Sequence, residues 1–166
     1  MKTKEMNIND LIPYENNPRN NEGAVEYVAN SIRQFGFKVP IVVDKDNVIV
    51  AGHTRWLAAQ ALEMDKVPVV VADDLTPEQV KAFRLADNKV AEKASWDFMK
   101  LADEIKGIDT DINLNELGFG KFELDTLLNG ADFNEEELDN LFVDAPEKEK
   151  EPKKIQCPHC KEWFEI

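Results

Sequence analysis

Residues 48–60 read VIVAGHTRWLAAQ. Val48 to Ala51 form an apolar, mostly β-branched run, and Gly52 breaks it. From His53 to Leu62 the pattern is helical, with Trp56, Leu57, Ala59 and Ala61 available for packing. The stretch therefore reads as strand, tight turn, helix. A helix start presents unpaired N–H groups and a partial positive charge, which suit an anion. Gly52 lets a ligand approach the backbone closely. Thr54 can cap the helix or donate a hydroxyl, and Arg55 offers a planar fork matched to phosphate or carboxylate. His53 can donate, bind metal or move a proton, and it is the tentative catalytic base of any enzymatic reading. A plainer reading is also open: a turn with an N-cap, a solvated Arg55 and a surface His53.

The surrounding chain is a succession of short elements. NNPR (16–19) places Asn17 and Arg19 in a turn-rich first loop, broken by Pro13 and Pro18 after a short extended piece. A helix is predicted from Ala24 to Phe35, with Val25, Val28, Ile32 and Phe35 at helical spacing and Gly36 as its stop. VPIVVD is a strand, KDN a tight turn, VIVAG a second strand and VPVVVAD a third. Thr76, Pro77 and Gln79 spell a capping box with Pro at the first helical position. That helix is expected to run to about Leu85 or Asn88, so that ADNK (86–89) ends it with Asp87, Asn88 and Lys89. Ser95 or Asp97 starts another, striped by Phe98, Leu101 and Ile105. The apolar residues Val25, Val28, Ile32, Phe35, Phe83 and Leu85 are expected to be core. The fold class is α+β: a small mixed sheet with interleaved helices over residues 5–106. An acidic helical extension (107–145), a charged linker (146–154) and a Cys-x-x-Cys knuckle (155–166) follow.

The net charge of −13 is unevenly spread. Residues 1–93 carry 12 basic and 14 acidic side chains, a balance of −2, whereas residues 94–146 carry 3 and 14, a balance of −11. Such a segment repels phosphate backbones, so DNA contact is expected to be weak or indirect. No apolar run is long enough for a membrane span and the N-terminus lacks a signal-like core, so a cytoplasmic protein is expected. CPHC places Cys157 and Cys160 at the spacing of half a zinc ribbon. The other two ligands are absent from the chain, so a homodimer pairing two tails would complete a four-thiolate site. The alternatives are an unmetallated tail or, with no βαβ unit around the motif, a less fitting redox pair.

The order PYENNPR, VANSIRQFGFKVPIVVD, VIVAGHTRWLAA, VPVVVADD and VKAFRLADNKVAE, over roughly residues 6–95, resembles the ParB N-terminal-like domain of the ParB/sulfiredoxin-like superfamily. It looks most similar to ParB-like modules of phage and bacterial DNA-modification proteins, which often precede a methyltransferase. The resemblance implies a nucleotide site. In partition proteins the turn reads Gly-Glu-Arg-Arg and holds the phosphates of CTP, and a later Glu-Asn pair assists with magnesium. Gly52 and Arg55 match the turn, with His53 and Thr54 in place of Glu and the first Arg. Asp87 and Asn88 match the later pair. Sulfiredoxins carry Gly-Cys-His-Arg there; no Cys lies near His53, so that chemistry is excluded. No helix-turn-helix is legible after residue 106.

The reading is a domain binding nucleotide or phosphate, with CTP or ATP and magnesium as cofactors, through Arg19, Gly52, His53, Thr54, Arg55, Asp87, Asn88 and Lys89. It would act as an accessory to DNA modification, regulation or partition, with a methyltransferase as one partner. The rivals are a phosphotransferase, NTPase or nuclease on the same fold, and an acidic protein-interaction module.

Overall fold

The computed structural model describes residues 2–108 and 112–129, together with the backbone of 154–156 and 163–165. Residues 1–128 form one compact unit and 129–166 another. In the first unit, four strands make a mixed sheet: β1 (Thr3–Asn7), β2 (Ile41–Val43), β3 (Ile49–Ala51) and β4 (Lys66–Val71), in the spatial order β1-β4-β2-β3. β1 runs antiparallel to β4, β4 parallel to β2, and β2 antiparallel to β3. The β2–β3 connection is the expected tight turn. Asn47 sits at φ 62°, and Asp44 Oδ1 accepts from the N–H groups of Asp46 and Val48 at 3.0 and 2.9 Å. Asn is among the few residues that tolerate that backbone region. β1 (TKEMN) carries no apolar alternation and, apart from the half-buried Met6, stays exposed at the sheet edge, so sequence periodicity misses it. Charged edges of this kind discourage pairing with other chains.

Buried side chains alternate along the interior strand β4, with Val67 and Val69 inaccessible to solvent. They join Ile8, Leu11, Ile41, Val43, Ile49 and Ala59 in one core. Helix α2 (His53–Ala61) lies against this core through Ala59 and Trp56, and Trp56 Nε1 donates to the Ile8 carbonyl at 3.4 Å. Helix α1 (Val25–Phe35) ends at Gly36, at φ 76°, as its stop signal requires. Helix α3 (Pro77–Ala91) starts on the complete Thr76–Gln79 capping box. It continues past Asn88, so ADNK lies in its last turns instead of ending it. Helix α4 (Phe98–Lys106) is capped by Asp97, whose side chain accepts from the Lys100 N–H.

One expectation fails. Of the residues read as core, Val25, Val28 and Ile32 are half-buried. Phe35, Phe83 and Leu85 are exposed, Leu85 by 61%. The reason is what each helix faces. α1 buries only Ala29, and its apolar stripe borders a cavity. α3 buries only Val80 and reaches β3 with an arginine.

The first unit does not stop after α4. A 3₁₀ turn, Leu114–Leu117, packs against α1, where the Asn30 side-chain amide donates to the Glu116 carbonyl at 3.0 Å. Helix α5 (Lys121–Asn129) follows. In the second unit, β5 (Lys154–Gln156) and β6 (Trp163–Glu165) pair antiparallel. Cys157, Cys160 and the linker up to residue 153 lie outside the described residues. No helix among the described residues is long and apolar enough to cross a membrane.

Candidate functional site

Three polar chain segments meet around a cavity of about 670 Å³, which α1, the stretch after it and Leu117 also line. The first loop and the N-terminal end of α2 meet at the Thr54–Asn21 bond, and the loop meets α3 at the Arg19–Asn88 bond. Asn17, Arg19 and Asn21 come from the loop, Gly52 to Arg55 from the turn, and Asp87 and Asn88 from α3. The polar turns recognised in the sequence do converge.

Gly52 takes φ 101°, a left-handed conformation that side chains disfavour. Its bare face is also occupied: a Cβ there would lie 2.9 Å from Arg55 Nε and 3.0 Å from Nη2. The Arg55 guanidinium is thus folded back over the turn that starts its own helix. Its Nε is buried and has no hydrogen-bond partner among the described residues. Burial lowers the Arg55 pKa from its ordinary value, partly offset by the nearby Asp87 carboxylate. A half-buried guanidinium with an unused donor, beside a helix N-terminus, is suited to receive an anion.

The other polar groups of the turn are engaged. His53 Nε2 accepts the Tyr14 N–H at 3.2 Å, and Thr54 Oγ1 donates to Asn21 Oδ1 at 3.1 Å. Arg19 Nη1 donates to Asn88 Oδ1 at 2.7 Å. The exposed Lys89 does not line the cavity and pairs with Glu92 at 2.5 Å. Val28, Ile32 and Phe35 give the cavity an apolar wall. The chain position of Tyr27, Ser31, Lys38 and Leu117 gave no hint that they also line it. A smaller recess of about 350 Å³, lined by Tyr14, Asn16, Lys81, Arg84 and Leu85, shares His53 and Asn88 with the main one.

Arg84 is the residue that sequence reasoning overlooked. Its Nε donates to the Ile49 carbonyl at 3.1 Å and its Nη2 to Asp44 Oδ2 at 3.3 Å. The guanidinium carbon lies 4.1 Å from the centroid of the Tyr14 ring. The ion pair spans 40 residues, a separation with no local signature.

Burial, then the Arg84 charge, lowers the His53 pKa below its ordinary 6.5. The unfolded chain therefore takes up this proton first as the pH falls. The stability that follows is present above pH 6.5 and lost as the pH drops from there through the folded-state value. His53→Gln should flatten that part of the profile, as read by urea unfolding from pH 7.5 to 5. An unchanged slope would show that another group is responsible.

The site stands in a recognisable context. The ParB N-terminal domain family matches residues 1–89. The chain is 42% identical over 73 residues to the ParB-like nuclease domain-containing protein YnaK of Escherichia coli (strain K12), covering 43% of this chain and 84% of that protein. It is 35% identical over 68 residues to the probable chromosome-partitioning protein ParB of Rickettsia felis, covering 40% of this chain but only 24% of that one. Among solved structures, the C-terminally truncated chromosome-partitioning protein ParB of Caulobacter crescentus, complexed with CTP-γ-S, superposes with a TM-score of 0.66 at 25% identity, covering 82% of each chain. By the match of more than half its length, and by the mixed sheet and turn that carry it, this chain belongs to the ParB N-terminal domain family.

Proposed function

We propose that the cavity binds a nucleoside triphosphate, with CTP the first candidate, and that the phosphates rest on the Gly52–Arg55 turn. The observation that carries this is the Arg55 guanidinium, half-buried over Gly52 with its Nε unpaired. The complex of the Caulobacter crescentus structure with CTP-γ-S supports the choice of nucleotide. The apolar wall of Val28, Ile32 and Phe35 suits a base or sugar better than a bare phosphate would need. Magnesium typically takes one or two carboxylates and completes its shell with phosphate oxygens and water. Asp87 offers one carboxylate at the cavity, and the Asn88 amide beside it would join the ion only by releasing the Arg19 guanidinium that its Oδ1 now holds.

Titration calorimetry with CTP, ATP and GTP in magnesium tests this. Arg55→Ala should weaken binding by about 1–3 kcal/mol, the loss of a charged hydrogen bond. Equal affinity in wild type and variant would refute the assignment.

The wider role we propose is as an accessory to DNA modification, regulation or partition, supported by the similarity to named partitioning proteins. Zinc at Cys157 and Cys160 is a separate proposal. Both cysteines lie in sequence between the paired strands β5 and β6, at the Cys-x-x-Cys spacing of half a zinc ribbon. Native mass spectrometry should find one zinc per dimer, lost with the dimer in Cys157→Ser. A monomer holding its own zinc would overturn the shared site.

A further inference from the structure

We infer that His53 and Thr54 are positioning residues that clasp the 12–21 loop, while Arg55 is the side chain of the turn that meets the ligand's charge. The inference deepens the nucleotide reading and, for its affinity arm, rests on it. The loop has no regular structure apart from a bridge at Ile12, where Ile12 N–H donates to the Asn47 carbonyl and Ile49 N–H to the Ile12 carbonyl. Beyond that bridge it is tied down by side chains. His53 accepts from the Tyr14 backbone at one end, and Thr54 donates to Asn21 at the other.

Adjacent residues at the first turn of a helix point in different directions. His53 and Thr54 therefore reach two places on the loop while Arg55 folds back over Gly52. Between the tie points lies Arg19, whose guanidinium meets Asn88 at the cavity. The Asn17 and Asn21 side chains brace the Arg19 backbone within the loop, and the Asn88 contact ties its guanidinium to α3, so the clasp is what joins the ends of this braced loop to the β3–α2 turn. The Tyr14 ring is held in turn by the Arg84 guanidinium, which Asp44 and the Ile49 carbonyl fix in place.

The geometry also assigns the tautomer. Accepting through Nε2 leaves the proton on Nδ1, so the imidazole is a neutral acceptor in this arrangement. An Nε2 occupied by a backbone N–H is not available to take a proton from a substrate or to ligate a metal. Two polar residues at a helix start thus serve the fold of a loop, and the loop serves the site.

The test uses the full chain. Hydrogen exchange followed by NMR reads the Tyr14 amide without nucleotide, and calorimetry with CTP reads affinity. His53→Ala should speed Tyr14 exchange by about tenfold or more, since local opening then needs no bond broken, and should weaken CTP binding. His53→Gln, whose amide oxygen can accept the same N–H, should restore both. Thr54→Val should loosen the Asn21 end and Thr54→Ser restore it. Arg55→Ala should weaken CTP binding with Tyr14 exchange unchanged. The inference falls if His53→Ala leaves Tyr14 exchange as it was, or if His53→Gln restores exchange but not affinity, because His53 would then touch the ligand. If the wild type binds no nucleotide, the nucleotide reading fails, and the exchange data still decide the clasp.

Discussion

Replacing Arg84 with Ala should lower the stability of the first unit by about 3–5 kcal/mol, the usual cost of removing one partner of a buried ion pair. The side chains of Arg84 and Asp44 are only 11% and 17% exposed. Without the guanidinium, Asp44 keeps its two backbone donors but loses its counter-charge, and the Ile49 carbonyl loses a donor. The Tyr14 ring loses the cation stacked on it. The melting temperature should fall by roughly 10 °C or more for a domain of this size. Arg84→Lys should recover only part of the loss, because one ammonium cannot reproduce the fork that serves a carbonyl and a carboxylate together. Thermal denaturation checks this, and a loss below about 1 kcal/mol would mean that the pair behaves like an exposed one.

Gly52→Ala should damage stability and binding together. At φ 101° a side chain is strained by roughly 1–3 kcal/mol. The new methyl would also meet Arg55 Nε at 2.9 Å, a contact relieved only by moving the guanidinium away from the turn. CTP affinity should therefore drop at least as far as in Arg55→Ala. A variant that melts lower yet binds CTP normally would separate the backbone role of Gly52 from its role in seating Arg55.

The legible parts of this fold were those written in neighbouring residues. The Thr76–Gln79 capping box, the Gly36 stop and the Asp97 cap each rest on atoms a few positions apart, and each is present. The strands β2, β3 and β4 show in their β-branched runs. β1 does not, because Met6 alone of its five residues packs on the core, too little to impose alternation. The apolar stripe of α1 was visible as a stripe. Periodicity tells which side of a helix is apolar and is silent on whether that side meets a sheet or a cavity. For the site, Gly52, Arg55, Asp87 and Arg19 could be named from residue type and turn chemistry. Their convergence depends on the strand order β1-β4-β2-β3, and the Asp44–Arg84 pair on a crossing of 40 residues. Neither is encoded in any window short enough to read.

Leu117 gives the cavity a wall from beyond residues 1–89, the stretch that the family model matches. The match ends at residue 89, yet the 3₁₀ turn at Leu114–Leu117, anchored on α1 by Glu116, borders the same space as Arg55. Linkage makes the relation reciprocal: whatever free energy an occupant gains from that wall, the turn gains in its hold on α1. Two proteins with identical residues 1–89 can then prefer different occupants through this turn alone. On the proposed reading, selection has a place to tune the ligand without touching the turn assigned to its charge.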